Sequence, residues 1–392
     1  MIPLAHVLLA TAAGLCLYTY IGYPAVLMLL SSLRRSRGLR PSPSAGPLPR
    51  ISIVLPAYNE AGVIAGTLER LLALDYPSTL RQILVVSDAS TDGTDEIVSR
   101  FAGRGVELLR LPRRQGKTAA ENAARRHLTG EIIINTDASV RIDPAAVKHL
   151  VAAFGDPSVG LASARDVSVT SLDEPVNVGE EAYVGYEMWT RDEETAVYGI
   201  VGASGCLYAI RAGLHMGHVP EELSRDFAAA LTAREHSFRA VSVPAARCFV
   251  PRGASLRQEY RRKVRTITRG LATLAHKRAL LNPFRYGVFA WMLFSHKVCR
   301  WLVPCAALLL LAALGALALT SWWALGLLGA LAAAGALAGI AWAWPEGKSM
   351  PRLLGFPAYV ALGNLAVLHA WLRVLAGRPA PVWEPTRRGA AT

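Results

Sequence analysis

The sequence predicts an α/β domain with a mostly parallel sheet, combined with helices that span or lie on a membrane. Three observations predict this fold class. The 392-residue chain is 52% hydrophobic, which is too apolar for an ordinary soluble enzyme of this length. Long segments with few charges occur near both ends. Between them, roughly 250 residues alternate short β-branched runs with helix-period segments, a length that suits one sizeable domain.

The first apolar segment covers residues 4–33 and predicts a membrane anchor. A basic cluster follows it, made of Arg34, Arg35, Arg37 and Arg40. The positive-inside rule places this cluster in the cytoplasm and the N-terminus outside. A cleaved signal peptide is the alternative. No basic stretch precedes the apolar run, however, and the run exceeds the roughly 7–15 residues of a signal h-region.

Three further apolar blocks cover residues 298–319, 322–344 and 356–375. The first two have the length and composition of membrane spans. The last contains Asn364 and Arg373, which are costly in hydrocarbon but tolerated at an interface. We expect it to lie in the membrane plane, because that would keep the C-terminal tail in the cytoplasm.

The predicted organisation has six parts. They are an anchor over residues 1–37, a linker over 38–50, a cytoplasmic catalytic domain over 51–256, amphipathic interfacial helices over 257–297, membrane helices over 298–376 and a cytoplasmic tail over 377–392. The linker is assigned from its proline, serine and glycine content.

The formal net charge of +13 comes largely from arginines beside the apolar segments and within residues 252–278. This distribution favours contact with anionic lipid and phosphate, and we expect no nucleic-acid partner. Five cysteines are scattered without a CxxC pair, so we expect reduced thiols and no zinc site.

Polar residues follow the predicted strands over residues 51–55, 82–86 and 131–135. They are Tyr58, Asn59 and Glu60 after the first strand, Asp88 and Asp92 after the second, and Asp137 after the last. In parallel sheets, ligands bind beyond the carboxyl ends of the strands. Asp88, Asp137 and Lys117 suit a nucleoside diphosphate with a divalent ion, Mg²⁺ or Mn²⁺. Alternatively, a carboxylate here caps a helix, as is open for Asp92 and Asp143.

Six strings in this order resemble the family 2 glycosyltransferases, which include cellulose, chitin, hyaluronan and poly-N-acetylglucosamine synthases. They are IVLPAYNE at 53–60, VVSDASTDGT at 85–94, RQGKTAAENAA at 114–124, NTDAS at 135–139, GASGCLYAIR at 202–211 and SRDF at 224–227. The resemblance covers roughly Tyr18 to Arg388 and implies a nucleotide-sugar-binding domain of the GT-A type.

The resemblance also implies roles for individual residues. Ala57, Tyr58 and Glu60 would line the base pocket, Asp88 would contact the base, and Lys117 would lie near the diphosphate. Asp137 would bind donor and metal, and Asp226 would be the catalytic base of an inverting displacement.

Other parts of the chain match the family's acceptor and tail segments. The loop of Gly202, Ala203, Ser204 and Gly205 would shape the acceptor site, although a simple turn would explain the same residues. Arg262 and Arg265 belong to an arginine-rich segment that can lie at the membrane surface and face a leaving diphosphate. VWEPTRR at 382–388 resembles a tail motif, which would let Trp383 and Arg387 close over the donor.

Three departures from the family pattern bear on function. Ser139 stands where many members have a second acid, and Arg225 replaces the acid that often precedes the catalytic aspartate. Arg262 and Thr266 replace the glutamine and tryptophan of the processive synthases' QxxRW motif, so only Arg265 matches it. The missing tryptophan would remove the floor of a polymer site.

The sequence therefore predicts an inverting hexosyltransferase of the bacterial inner membrane. We expect it to transfer a sugar from a nucleotide sugar, expected to be a UDP-sugar, to a growing glycan of the cell envelope. Partner export subunits or a homo-oligomer would complete a channel. Two alternatives remain, transfer of a single sugar to a polyprenyl phosphate or other lipid, and a non-catalytic assembly subunit.

Overall fold

The computed structural model describes residues 2–35, 46–169, 178–251, 255–345 and 351–378. Two membrane-side helices come first, α1 (Ile2–Leu17) and α2 (Tyr23–Arg35), which are joined by a π-helical turn at Tyr18–Gly22. The first half of the α/β domain contains β1 (Ile51–Ala57), α3 (Ala61–Leu72), β2 (Arg81–Ser87), α4 (Thr94–Ser99), β3 (Val106–Arg110), α5 (Lys117–Ala124), β4 (Ile132–Thr136), β5 (Arg141–Ile142) and α6 (Ala146–Ala152).

The second half of the domain contains longer strands and helices. They are β6 (Val159–Val169), α7 (Val178–Val197), β7 (Leu207–Arg211), α8 (Ala212–His215), α9 (Arg225–Glu235) and β8 (Arg239–Pro251). The membrane-side elements that follow are α10 (Leu256–His276), α11 (Pro283–Tyr286), α12 (Val288–Leu293), α13 (Arg300–Ala318), α14 (Trp322–Trp342) and α15 (Arg352–Leu375). A π-helical segment, Phe294–Cys299, joins α12 to α13.

In the described part of the chain, eight strands form one sheet in the order β3-β2-β1-β4-β7-β6-β8-β5. The first four of these are parallel. β7 is antiparallel to both β4 and β6, while β6 and β8 pair in parallel. The predicted α/β fold with a mostly parallel sheet is thus confirmed. The antiparallel strand β7 is a feature that the alternation of strands and helices did not predict.

The core lies on both faces of this sheet because the central strands are apolar on both sides. All seven residues of β1 are buried. Ile51, Ile53 and Leu55 pack on one face, and Val54 packs on the other. This two-sided burial is typical of strands covered by helices on both faces. At Gly130 the chain runs so close to β1 that a Cβ would stand 2.4 Å from the Ser52 backbone nitrogen.

Four helices in the described ranges are long and apolar enough to cross a membrane, Ile2–Arg34, Val288–Ala318, Trp322–Trp342 and Leu353–Leu375. The second begins ten residues before the apolar block seen in the sequence, because α12 and the π-helical segment continue into α13. The fourth belongs to α15, a 24-residue helix that packs along α10 and α14. Its predicted position in the membrane plane remains a hypothesis.

The membrane-side helices pack directly on the catalytic domain. Tyr23 and Leu27 of α2 are fully buried in a cluster that also contains Val197 of α7, Phe227 of α9 and Leu293 of α12. The α/β domain and the membrane helices therefore share one apolar core. This shared core places the start of α9 close to the membrane side.

Candidate active site

A cleft of about 1290 Å³ opens at the carboxyl ends of the parallel strands. The predicted residues Tyr58, Glu60, Lys117, Asp137, Ala203, Ser204, Gly205, Asp226, Arg262 and Arg265 all line it. Ala57 and Asp88 are buried, with only 1% and 3% of their surface exposed. The cleft is where the topology of an open α/β sheet places a ligand.

Asp88 supports the loop that leads into α5. Its Oδ1 and Oδ2 accept hydrogen bonds from the backbone nitrogens of Gln115 and Gly116, each at 2.7 Å. Gly116 has φ of +96°, a conformation that favours glycine. Because Lys117 follows directly, Asp88 fixes the start of the helix that carries this lysine. The predicted contact between Asp88 and the base remains a hypothesis.

The side chains of Tyr58 and Arg114 stack on one wall of the cleft. The Arg114 guanidinium carbon stands 4.0 Å from the Tyr58 ring centroid. Neighbouring Asn59 adopts φ of +52°, and its Oδ1 accepts a hydrogen bond from the Thr91 backbone nitrogen at 2.8 Å. An aromatic ring with a guanidinium beside it offers two flat surfaces for a base.

Asp92 caps two helices, and Asp143 accepts a hydrogen bond directly before a third. Asp92 Oδ2 accepts a hydrogen bond from the Ala61 nitrogen at 3.0 Å, and its Oδ1 accepts one from the Thr94 nitrogen at 3.1 Å. Asp92 thus caps the starts of α3 and α4 together. Asp143 Oδ1 accepts a hydrogen bond from the Ala145 nitrogen at 3.0 Å, beside the start of α6. These contacts agree with the capping interpretation.

Lys117 is the central cation of the cleft. Its ammonium forms an ion pair with Asp137, donates a hydrogen bond to the Gly205 carbonyl at 3.1 Å, and stands 4.0 Å from Glu121. Burial alone would lower the pKa of Lys117, but the charges of Asp137 and Glu121 outweigh it and raise the pKa well above its usual value. Lys117 is therefore a fixed positive charge at neutral pH.

Asp226 stands in the first turn of α9 at the edge of the 202–205 loop. Its Oδ1 accepts a hydrogen bond from Ser224 Oγ at 2.5 Å. A Cβ on Gly205 would lie 3.0 Å from Asp226 Oδ2, so the loop backbone runs close to the carboxylate. Asp226 also lines the open cleft, and a carboxylate in such a cleft with one oxygen oriented by a hydrogen bond suits a general base.

A buried ion pair that the sequence did not predict forms part of the cleft floor. Arg225 Nε lies 2.9 Å from Glu121 Oε2, and Arg225 also donates to Asn122 Oδ1 at 2.6 Å. Burial raises the pKa of Glu121, while Lys117 and Arg225 oppose this rise. Beside the pair, burial and the charge of Arg225 hold the pKa of His215 well below its usual value. The acid expected before Asp226 is thus replaced by an arginine that pairs with an acid from α5.

The 202–205 loop is held from two sides. Ser204 Oγ donates to Asp166 Oδ1 at 2.6 Å, and the Ser204 nitrogen donates to Ser163 Oγ at 2.8 Å. On the other side, the Val201 nitrogen donates to Glu194 Oε2 at 3.3 Å. A turn alone would not need this many contacts, so the loop is a fixed wall of the cleft.

Glu187 and Glu194 of α7 face cations of the membrane-side helices. Burial alone would raise the pKa of Glu187, but His296, Lys297 and Arg300 outweigh it and lower the pKa well below its usual value. For Glu194, His296 likewise outweighs burial and lowers the pKa. Both glutamates are therefore ionised and are paired with basic side chains of the membrane-side helices.

The arginine-rich helix α10 forms the membrane-side wall of the cleft. Arg262 Nε lies 2.7 Å from Glu259 Oε2, and Arg265 also lines the cleft. Lys263 Nζ donates to the Tyr359 hydroxyl of α15 at 3.0 Å. Arg269, which the sequence did not single out, donates to the Leu223 carbonyl at 2.7 Å and so ties α10 to the segment before Asp226. Trp383 and Arg387 lie outside the described residues.

Within the described ranges, no cluster of three or more histidine, cysteine, aspartate or glutamate side chains could hold a metal ion. Asp137 stands in the cleft with Ser139 close by in the sequence, and both line it. A magnesium ion that arrives with a diphosphate needs only one or two protein carboxylates. The residues present therefore fit a metal brought by the donor.

The sheet order and the position of the cleft define a GT-A-type nucleotide-sugar-binding domain. Residues 52–201 match the family described as Glycosyl transferase family 2. The resemblance seen in the sequence is thereby confirmed.

Two curated relatives and one solved structure illustrate the likeness. Beta-monoglucosyldiacylglycerol synthase of Nostoc sp. is 30% identical over 160 residues, 40% of this chain and 34% of the relative. Undecaprenyl-phosphate 4-deoxy-4-formamido-L-arabinose transferase of Salmonella choleraesuis is 31% identical over 112 residues, 28% of this chain and 34% of the relative. The chain thus spans about a third of the length of each.

The solved structure is the mannosyltransferase PcManGT from Pyrobaculum calidifontis, in complex with GDP-Man and Mn²⁺. It superposes with a TM-score of 0.69 at 23% identity, over 94% of this chain and 99% of that one. The structural likeness extends beyond residues 52–201 to nearly the whole chain, and it shows a shared fold.

Proposed function

We propose that this protein is an inverting glycosyltransferase that transfers a hexose from a nucleotide sugar to a lipid-borne acceptor at a membrane. One observation carries the proposal. A single cleft contains Lys117, Asp137 and Asp226, and one of its walls is formed by α10 and by Tyr359 of α15, a helix long and apolar enough to cross a membrane.

The donor would bind beyond the ends of β1, β2 and β4. Tyr58, Glu60 and Arg114 would contact the base, and Asp88 would act by holding the 115–116 loop in place. The ammonium of Lys117 would offset charge on the diphosphate as it leaves. Asp137 would hold a divalent ion, Mg²⁺ or Mn²⁺, which supplies further charge stabilisation to the leaving group.

Asp226 would accept the proton of the acceptor hydroxyl while that oxygen attacks the anomeric carbon. The bond from this carbon to the nucleoside diphosphate breaks in the same step, so the configuration inverts. The 202–205 loop, which runs close to Asp226, would orient the acceptor. Positioning of the acceptor hydroxyl and removal of its proton by a general base each accelerate such a reaction by a large factor.

A lipid acceptor is favoured over a growing polysaccharide for two reasons. The cleft reaches the junction of α10 and α15, where a lipid headgroup would arrive from the bilayer. The names of the two curated relatives given above also contain a diacylglycerol and an undecaprenyl phosphate. The processive synthases' tryptophan is replaced by Thr266, which weakens the case for polymer extension.

We place the protein in the inner membrane of a bacterium, with the catalytic domain in the cytoplasm. The arginines that follow the first span support this orientation. The predicted domain limits and the side of the C-terminus remain hypotheses. A tag after Thr392 that is accessible only from outside would contradict the cytoplasmic tail.

The test uses the full chain, purified in detergent with native lipid. Nucleoside diphosphate release is measured with a panel of sugar nucleotides, Mg²⁺ or Mn²⁺, and either dioleoylglycerol or undecaprenyl phosphate. We expect one donor to turn over, and Asp226→Asn and Asp137→Ala to be inactive. Asp143→Asn, which changes a helix cap, is the matched control and should remain active.

The size of the product separates the alternatives. A lipid carrying one sugar supports the proposal, and a ladder of products would favour glycan extension. Nucleotide binding without any transfer would favour a non-catalytic assembly subunit over both single-sugar transfer and glycan extension.

A further inference from the structure

The membrane-side helices reach the 202–205 loop through a cluster of buried and partly buried polar and charged residues. We call it the α7 cluster and define it as Tyr23, Glu187, Glu194, His296, Lys297 and Arg300. His296 Nδ1 lies 2.5 Å from Glu194 Oε1, and the Tyr23 hydroxyl donates to the same oxygen at 2.6 Å. Arg300 Nη1 donates to Glu187 Oε2 at 2.7 Å. Tyr23 and Glu194 are wholly buried, and His296 is 1% exposed.

This cluster contacts the segment that enters the loop. Glu194 uses its second oxygen to accept a hydrogen bond from the Val201 nitrogen at 3.3 Å. A Cβ on Gly202 would lie 3.5 Å from Lys297 Cε, so the lysine stem runs close to the loop backbone. Two successive residues of the chain are therefore held by groups that the membrane-side helices fix.

The other end of the same loop contacts the proposed catalytic groups. Lys117 Nζ donates to the Gly205 carbonyl at 3.1 Å, and Gly205 runs close to Asp226. Hydrogen bonds thus lead from His296 through Glu194 to Val201, and the backbone of the loop continues from there to Gly205. Rigid, hydrogen-bonded paths of this kind allow one element to set the geometry of another.

We propose that Glu194, held by His296 and Tyr23 of the membrane-side helices, is a positioning residue that fixes the 202–205 loop for the acceptor. The proposal rests on the proposed function. It adds that the membrane helices are part of the acceptor site and not only an anchor. Among the described residues, Tyr58 and Asp88 on the donor side have no hydrogen bond or ring contact with this cluster. Lys117, which would meet the diphosphate, contacts the loop at its far end, the Gly205 carbonyl. We therefore expect a smaller effect on donor binding than on acceptor binding.

The chain offers a matched pair of variants, Glu194→Gln and Glu193→Gln. Both neighbouring glutamates are buried, with 0% of Glu194 and 5% of Glu193 exposed. Each accepts a hydrogen bond from a hydroxyl of α2. The donor is Tyr23 for Glu194 and Ser31 for Glu193. Only Glu194 also binds Val201 and His296. Both variants weaken the contact between α2 and α7, but only one loosens the loop. Tyr23→Phe is a milder third variant, in case Glu194→Gln fails to fold.

The first readout is backbone hydrogen exchange of the peptide that contains Val201, in the purified full chain without substrates. Glu194→Gln should speed exchange there by roughly tenfold, as expected for loss of one hydrogen bond to a charged group. Glu193→Gln should leave it unchanged. Equal exchange in both variants would overturn the positioning role, whatever the enzyme's activity.

The second readout is kinetic and uses dioleoylglycerol or undecaprenyl phosphate in vesicles as the acceptor. Glu194→Gln should raise the acceptor KM by roughly tenfold while donor affinity stays within about twofold of the parent. A parallel loss of donor affinity, or an equal change in Glu193→Gln, would overturn the proposal. If no acceptor is turned over by the parent protein, the proposed function fails, and the exchange readout still decides the positioning role.

Discussion

Arg225 lies with its Nε 2.9 Å from Glu121 Oε2, directly before the proposed catalytic base in the sequence. The pair is almost wholly buried, with 6% of Arg225 and none of Glu121 exposed. Breaking such a pair by removing one partner leaves an uncompensated charge in the interior. Replacing both partners by apolar groups avoids this cost.

We therefore expect Arg225→Met to lower the free energy of unfolding by about 3 kcal/mol, the lower end for a broken buried pair. Lys117, at 4.0 Å from Glu121, moderates the loss. The double variant Glu121→Leu/Arg225→Met should recover most of it. Denaturant unfolding of the full chain in detergent measures all three proteins.

The control is the exposed pair of Arg104 and Glu69, at 2.5 Å with about half of each side chain exposed. Arg104→Met should lower the free energy of unfolding far less than Arg225→Met, because water screens the exposed pair. If Arg225→Met costs no more than Arg104→Met, the buried pair has no special role in stability.

The sequence could predict the first half of the domain because its signals are local. The apolar runs of β1, β2 and β4 identify buried parallel strands. The polar residues directly after β1 and β4 line the cleft, whereas Asp88 after β2 is buried beneath the 115–116 loop. A strand's direction in the sheet is not a local property. β7 lies antiparallel between β4 and β6, and this arrangement depends on contacts between distant parts of the chain.

The same reason explains which site residues were missed. Asp226 and Asp137 stand in strings that carry their own signature. The partners Glu121 and Arg225 come from α5 and α9, and His296 of the membrane-side segment meets Glu194 of α7. No spacing in the sequence connects these pairs. The unusual arginine before Asp226 was the single sequence signal that a buried acid should be sought nearby.

A second prediction concerns the metal. Lys117 forms an ion pair with the Asp137 carboxylate and is also close to Glu121. Lys117→Met removes this positive charge from beside Asp137 and should therefore strengthen Mn²⁺ binding to the protein. The same change should weaken binding of a nucleoside diphosphate, because the Lys117 ammonium would no longer offset the charge of the phosphates. Calorimetric titration with Mn²⁺ alone, and then with the nucleotide, measures both changes.

Lys148→Met provides the control, since that lysine forms an exposed pair with Asp75. It should change neither affinity. Weaker Mn²⁺ binding in Lys117→Met would show that the lysine helps to build the metal site and does not compete for it.

A third prediction follows from the cap made by Asp92. Burial alone would raise the pKa of Asp92, but hydrogen bonds from Thr94 and Ala61 outweigh it and lower the pKa below its usual value. A carboxyl with a lowered folded-state pKa stabilises the fold above its unfolded pKa of about 3.9, and this contribution is lost as the pH falls through the folded value. Asp92→Ala should therefore lower the free energy of unfolding by about 1 kcal/mol at neutral pH.

The difference in the free energy of unfolding between the parent protein and Asp92→Ala should shrink below about pH 4, because the Asp92 carboxyl of the parent becomes protonated. Unfolding measured at a series of pH values gives this curve. Asp75→Ala is the control, because it removes an exposed carboxylate. Its free energy of unfolding at neutral pH should differ little from that of the parent protein. A gap for Asp92→Ala that stays constant with pH would mean that the charge of the cap is not what stabilises the two helices.

The fourth prediction tests how closely the 202–205 loop must approach the base. In Gly205→Ala, the new Cβ would meet Asp226 Oδ2 at 3.0 Å and Cγ at 3.5 Å, so the carboxylate must shift by a few tenths of an ångström. Gly213→Ala is the control, because a Cβ there has no neighbour within 4 Å among the described residues. We expect Gly205→Ala to lower kcat by roughly tenfold, since small displacements of a catalytic group are costly. Donor affinity and melting temperature should stay near those of the control. A normal kcat in Gly205→Ala would mean that the carboxylate can move without loss, and Asp226 would then be a poor candidate for the base.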